Sequence, residues 1–381
     1  MKRFGRVAIP LWGLVLAAGL MLPAPGGAQE SVKVGVLASV TTDFAIIGKL
    51  QKDAAVMAAE DVNAEGGVGG RKIELLIEDT ANSNTVALAA LNKVLGQKPV
   101  AIIGPLWATQ LLAMFPAIQK EGLPILATSG TRRLTQVGNK WFFRYFPHDG
   151  ITKVAYTEFA VTELKRKKVG ILHVANEYGM SGRDIIVDTL KKHGLAPAAV
   201  ESHNATDKDM SAQLQKVKAA GADVILSQAH SADTALLLKQ QKALGLDIPH
   251  VASSAASSPS MLRLVTEQDI DGVYVETAAV PTFDPRPTVQ RWVKSYEERF
   301  KAAPDVFALL QYDMARMLFK AIKEAGPDRE KIRTWLASNA YEGMATTYKA
   351  DAEGNLNHRA IIIRYKGKTP EVVKTYDYAP K

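Results

Sequence analysis

The sequence predicts an α/β protein made of two doubly wound parallel-sheet lobes. Three observations carry this. Apolar runs of strand length alternate with longer segments of helical period along nearly the whole chain, the signature of parallel strands covered by helices on both faces. The alternation falls into two series, the second beginning after Pro147, and no flexible linker separates them.

Taken in order, residues 32–38 read as a strand and 48–65 as a helix with Ala54, Ala55, Ala58 and Ala59 on its buried side. A strand over 72–79 follows, and Gly66, Gly67, Gly69 and Gly70 lie in the reversal between them, where a residue without Cβ is favoured. The unit repeats as helix 85–95, strand 100–103, helix 109–121 and strand 123–127. In the second series, helix 151–164 leads to strand 169–174, helix 182–193, strand 198–203, helix 210–219, strand 224–227, helix 232–244 and strands near 250 and 273. After Pro281 the pattern is helical over 288–300, 306–325 and 328–338, then strand-like over 360–365 and 372–376. The late helices are expected to return to the first lobe. Lobe 1 is thus 29–148 plus about 278–354, and lobe 2 is 149–277 plus about 355–381. Short crossings between lobes that share a cleft suit hinge closure.

Lys2, Arg3 and Arg6 precede an apolar stretch over 7–22, and the small residues Gly26 and Ala28 suit signal peptidase. The expectation is an export signal over 1–28, with the mature chain starting at Gln29. The apolar run, about 16 residues, is short of the roughly 20 a spanning helix needs, and Pro10 interrupts it. The chain has no cysteine, so neither an acylated cysteine anchor nor a disulfide is expected, and stability must come from a large core. The formal charge of +8 falls by three to +5 without residues 1–28, and the basic residues are scattered, as at 165–168. That excludes the clustered, aromatic-interleaved basic surface of a nucleic-acid binder.

Motifs that carry chemistry are missing. There is no P-loop, HExxH, CxxC or GxSxG, and the glycines around Ser181 have the wrong spacing for a nucleophile elbow. The seven histidines are isolated from one another in sequence. No catalytic residue, metal ligand or cofactor is predicted. What remains is a set of loops at the C-terminal ends of strands, where open α/β sheets bind ligands. The loop after 100–103 runs Gly104, Pro105, Leu106, Trp107, Ala108, Thr109 into a helix whose free N–H groups can hold an anion. Thr128, Ser129, Gly130 and Thr131 follow the next strand and are rich in hydroxyls. Asn176, Glu177, Tyr178 and Gly179 open the second lobe and offer an aromatic lid with a polar tip. The small residues over 252–260 read as a loop or a ligand contact.

At these residues the chain resembles the Leu/Ile/Val-binding proteins of bacterial ABC importers, the type I periplasmic binding proteins. The resemblance covers nearly the whole mature chain. It rests on 34–37 followed by Gly48, on Ala59, Asn63, Gly66, Gly67 and 70–73, on Ile103 and Gly104, Leu134 and Thr135, 177–179, and Tyr312 with Asp313. It implies two lobes joined by three crossovers, a small-molecule ligand and ABC permease subunits as partners. It also implies a monomer in the periplasm that is not an enzyme. Thr128, Ser129 or Thr131 would hold a ligand carboxylate, and Tyr178 would close over it. Departures follow from the same alignment. Ser254 stands where the family places an acid against the ligand ammonium, Ala229 beside His230 replaces a tyrosine, and Ala108 replaces a serine. A charge-assisted hydrogen bond is worth about 1.5–3 kcal/mol, so losing the acid weakens ammonium recognition roughly ten- to a hundredfold. Either another acid substitutes or the ligand has no amine. Trp107 either stacks on a flat ligand or packs beside the helix over 109–121. A hydrophobic amino acid is the family default, an aromatic or other unaminated carboxylate the competitor, and a ligand-sensing subunit of a regulatory system the reading from another class.

Overall fold

The apolar runs assemble into two sheets. The computed structural model describes residues 1–2, 5, 8, 30–42 and 45–378; the cleavage expected after Ala28 lies outside the described residues. In the first sheet β1 (Val32–Ala38), β2 (Ile73–Asp79), β3 (Ala101–Ile103), β4 (Ile125–Ala127) and β5 (Phe142–Arg144) are all parallel, in the order β2-β1-β3-β4-β5. Val32, Val34 and Val36 of β1 pack on one face against the helices Ala45–Ala64 and Val306–Ala325. Leu37, Ile102 and Ile125 pack on the other against Asn84–Leu95 and Ala108–Glu121. Each fully buried side chain of this kind contributes about 1.5–3 kcal/mol. Ala54, Ala55, Ala58 and Ala59 are indeed buried, and their small size lets the two long helices approach closely.

The second sheet holds β6 (Val169–Val174), β7 (Ala199–His203), β8 (Val224–Gln228), β9 (His250–Ala252) and β10 (Tyr274–Thr277), which are parallel where they pair. A small hairpin, β11 (Ala340–Glu342) with β12 (Thr347–Lys349), stands apart. The final pair, β13 (Arg359–Lys366) and β14 (Thr369–Asp377), completes the order β14-β13-β10-β9-β8-β6-β7. These last two strands are antiparallel, since the two-residue connection between them can only reverse the chain. The chain passes between the sheets three times, near 145–148, 278–286 and 350–358. Among the described residues no helix is long and apolar enough to cross a membrane.

Helix starts differ from the sequence expectation in an informative way. The first helix begins at Ala45 and runs through Gly48. A Cβ on Gly48 would lie 1.8 Å from the Ser39 carbonyl oxygen, so this glycine serves close approach to the end of β1. The helix Glu177–Lys192 likewise begins well before 182, because the Asn176 side chain caps it by accepting from the Gly179 N–H at 3.1 Å. The expected helix over 151–164 is Asp149–Glu158 followed by a π-helical turn, Phe159–Glu163. The helix Arg133–Gln136 and β5 were not expected at all.

Candidate functional site

A cavity of about 80 Å³ lies between the two sheets, several times the space one water needs. Three loops predicted at strand ends converge on it. Trp107 and Ala108 reach it from the loop after β3; Thr128, Ser129, Gly130 and Thr131 from the loop after β4; Tyr178 from the helix after β6. His230 and Ser254 line it from the second sheet. Two expected residues do not. Thr109, second residue of its helix, points outward and is exposed, while Ala229 is fully buried in the apolar cluster with Leu172, Leu214 and Ile225. The helix turn carries one away, and the end of β8, buried on both faces, takes the other. The segment 176–179 is also not a loop, since Tyr178 lies in the first turn of a helix.

The loop over 128–131 is held from behind. The guanidinium of Arg144, the last residue of β5 and fully buried, donates from Nη1 to the carbonyl oxygens of Ser129 at 3.1 Å and Thr131 at 2.8 Å. The Asp149 N–H donates to the Gly130 carbonyl at 2.8 Å. With these carbonyls committed, the N–H groups of Ser129, Gly130 and Thr131 have no acceptor among the described residues. Successive N–H groups of this kind form an anion-binding concavity. Gln51 Nε2 donates to the Thr128 hydroxyl at 2.5 Å, which leaves that hydroxyl its own proton to donate. Arg144 escaped the sequence reading because it lies in a three-residue strand with no usable period.

Opposite this loop stand rings. Tyr178 stacks on His230, with centroids 5.1 Å apart and planes 14° apart. Trp107 meets His230 edge-on at 5.6 Å, and its indole Nε1 donates to Ser39 Oγ at 3.0 Å. The alternatives for Trp107 resolve into a half-buried ring tied to its own lobe that lines the cavity with one face of its loop. Ile47, Leu106, Phe146 and Phe307 supply apolar wall. Burial holds His230 below its ordinary value and the Tyr178 hydroxyl well above its own, the latter opposed by a hydrogen bond with Ser253.

Two charged residues also line the cavity, Asp149 and Lys153, one turn apart on the helix Asp149–Glu158. Burial pushes the Asp149 carboxyl up to about 6, against the opposing charge of Lys153 and a hydrogen bond from Ser181 Oγ at 2.7 Å. Lys153 Nζ is ion-paired with Glu276 Oε1, and both side chains are almost wholly inaccessible to solvent. Ser254, where no acid stands, donates its backbone N–H to the same Glu276 oxygen at 3.1 Å. These acids come from 149 and 276, outside the serine-rich segment over 252–260, so no local pattern around Ser254 points to them. The i, i+4 spacing of Asp149 and Lys153, on a helix face that also carries Thr152 and Tyr156, was the available signal. Among the described residues no group of three or more His, Cys, Asp or Glu side chains is placed to hold a metal.

The periplasmic binding protein family model matches residues 31–369. A leucine-, isoleucine-, valine-, threonine- and alanine-binding protein of Pseudomonas aeruginosa is 26% identical over 334 residues, covering 87% of this chain and 88% of its own. A periplasmic binding protein type 1 from Bordetella pertussis superposes with a TM-score of 0.81 at 25% identity, over 90% of this chain and 99% of its own. An ABC-transporter solute-binding protein of Rhodopseudomonas palustris, solved with 3,4-dihydroxybenzoic acid, has a TM-score of 0.82 at 19% identity, over 92% and 98%. The two-sheet topology, the three crossings and the inter-lobe cavity agree with this match over most of the chain. The chain belongs to the periplasmic binding protein family of ABC importers, with the type I fold, and is a substrate-binding protein rather than an enzyme.

Proposed function

We propose that this chain is an exported, monomeric receptor of the periplasm that takes a small hydrophobic carboxylate between its lobes and delivers it to an ABC permease. The observation that carries the reading is the 128–131 loop, whose carbonyls are tied back by Arg144 and Asp149 while its N–H groups and hydroxyls are left for an anion. The ligand's apolar body lies against Ile47, Leu106, Phe146 and Phe307, and Tyr178 with His230 closes over it. Affinity comes from buried apolar contact and a few aimed polar groups, as in most small-molecule sites.

The bound amino acids named for the Pseudomonas relative and the dihydroxybenzoic acid in the Rhodopseudomonas structure bracket the ligand class. The amino-acid reading is the family default; the absence of an acid at Ser254 favours the unaminated one. A thermal-shift panel of leucine, isoleucine, valine, phenylalanine, benzoate and hydroxybenzoates tests the reading. A ligand at 100 times its Kd stabilises by about 2.7 kcal/mol. No shift with any of these carboxylates sinks the assignment of the loop.

A further inference from the structure

Lys153 presents an unusual combination: an ammonium that lines a ligand cavity and is already committed to a buried acid. Its Nζ pairs with Glu276 Oε1 and lies 5.2 Å from the centre of the Tyr156 ring. The other Glu276 oxygen is buried with no hydrogen-bond partner among the described residues. One turn back on the same helix, the Asp149 carboxylate also faces the cavity. A single protein ammonium therefore sits beside two buried carboxylates. Those carboxylates are the groups that would attract an amine on a ligand. The other cation nearby, Arg144, spends its guanidinium on loop carbonyls. His230 faces the same cavity, and burial holds it toward the neutral form.

We propose that Lys153 is a specificity-determining residue, a built-in counter-ion that makes this cavity select carboxylates lacking an amine. A ligand ammonium entering the cavity would meet Asp149, the acid that lines it, only beside the like charge of Lys153 one turn along the same helix, with Glu276 already paired to Lys153 behind the wall. A ligand bearing only a carboxylate avoids that repulsion. Lys153 has three N–H donors and uses one of them on Glu276, so a hydroxyl or carbonyl oxygen on the ligand body can accept from another. This inference rests on the reading that the 128–131 loop takes a carboxylate, and it names which carboxylates follow.

The test is calorimetric titration of the mature chain with matched pairs that differ only by an amine: phenylacetate with phenylglycine, 3-phenylpropanoate with phenylalanine, and 4-methylpentanoate with leucine. For any pair that binds, the unaminated member is expected to bind at least about tenfold tighter, corresponding to about 1.4 kcal/mol. Lys153→Met keeps the stem and frees Glu276, so it is expected to narrow or reverse that ratio. Lys153→Met with Glu276→Gln removes both charges; it should bring the two members of each pair to about equal affinity without making the amine the preferred group, and it stands in if the single variant fails to fold. An amino acid that binds the wild type more tightly than its unaminated partner overturns the proposal. So does a ratio unchanged in both variants, and in these two cases the carboxylate reading survives. If no member of any pair and no benzoate binds the wild type, the carboxylate reading fails and takes the proposal with it.

Discussion

Arg144→Met separates the carboxylate loop from the rest of the fold. The variant removes the two shorter charge-assisted bonds, to the Ser129 and Thr131 carbonyls, worth about 1.5–3 kcal/mol each, and two long contacts from Nη2 to the Arg132 carbonyl at 3.5 Å and the Thr135 hydroxyl at 3.4 Å that add little. The gross loss is about 3–6 kcal/mol. Against it stands the cost of burying the cation, which lowers the guanidinium from 12.5 to about 10, or about 3 kcal/mol at roughly 1.4 per unit. The net effect on stability is then a loss of up to about 3 kcal/mol, measured by urea unfolding. Affinity should change more. With the carbonyls free to turn inward, the N–H groups no longer face an anion in a fixed array, and Kd for whichever carboxylate binds should rise about 10- to 100-fold, the equivalent of one lost charge-assisted bond. Arg132→Met, an exposed change on the same loop, should alter stability by less than about 0.5 kcal/mol and leave Kd unchanged. A variant of Arg144 that is destabilised yet binds as tightly as wild type would refute the argument, because the loop would then be structural and the anion held elsewhere.

Tyr178→Ala removes the ring stacked on His230 and should weaken binding about 10- to 100-fold, mostly through faster release; stopped-flow dissociation checks it, and an unchanged off-rate removes the lid. Glu177→Gln breaks a 3.5 Å pair with Arg133 that spans the lobes but is largely exposed on the arginine side, so Kd should move less than about fivefold, and a larger loss would mean this pair governs closure. His250 donates and accepts within a buried set with Ser227 Oγ at 2.7 Å and Gln241 Oε1 at 2.8 Å, and burial lowers it to about 4. Its folded value lies below its unfolded one, so its contribution is intact above pH 6.5 and is lost as pH falls toward 4, amounting to about 2 kcal/mol at pH 5. His250→Gln should remove that part of the acid destabilisation in urea melts at pH 8 and pH 5; an unaltered difference between the two pH values counts against the assignment. Gly179→Ala sets a Cβ 1.8 Å from the Val174 carbonyl oxygen and should cost at least about 2 kcal/mol, with retention of wild-type stability showing that the backbone has room to move.

What was legible in the sequence was whatever had a period. β1 at Val32–Ala38, β6 at Val169–Val174 and the helix Val306–Ala325 coincide with their expected bounds, because each is long enough for its apolar pattern to declare itself. β5 is three residues inside a run of aromatic side chains, and such a run reads equally as core of any kind. The carboxylate loop was legible as hydroxyls at a strand end, but the direction of its carbonyls was not, since that depends on Arg144 and Asp149 arriving from elsewhere in the chain. Charge in the cavity was illegible for a similar reason. Asp149, Lys153 and Glu276 meet only after the helix following the first crossing packs on the second sheet, and the sequence around Ser254 itself carries no acid.

The two lobes share a device that no sequence repeat announces. In each, the helix after the first strand approaches the end of that strand so closely that a Cβ would collide with a carbonyl oxygen at 1.8 Å: Gly48 against Ser39 in one lobe, Gly179 against Val174 in the other. The residue just before each glycine, Ile47 or Tyr178, lines the cavity. The absence of one Cβ lowers each helix onto its strand end, and the side chain one position earlier is carried to the mouth of the cleft. One lobe thereby contributes an apolar wall and the other an aromatic lid from equivalent places. This requires only a glycine at one position in each lobe and leaves the neighbouring residue free to vary, so the two halves can be built alike around a ligand without being alike in sequence.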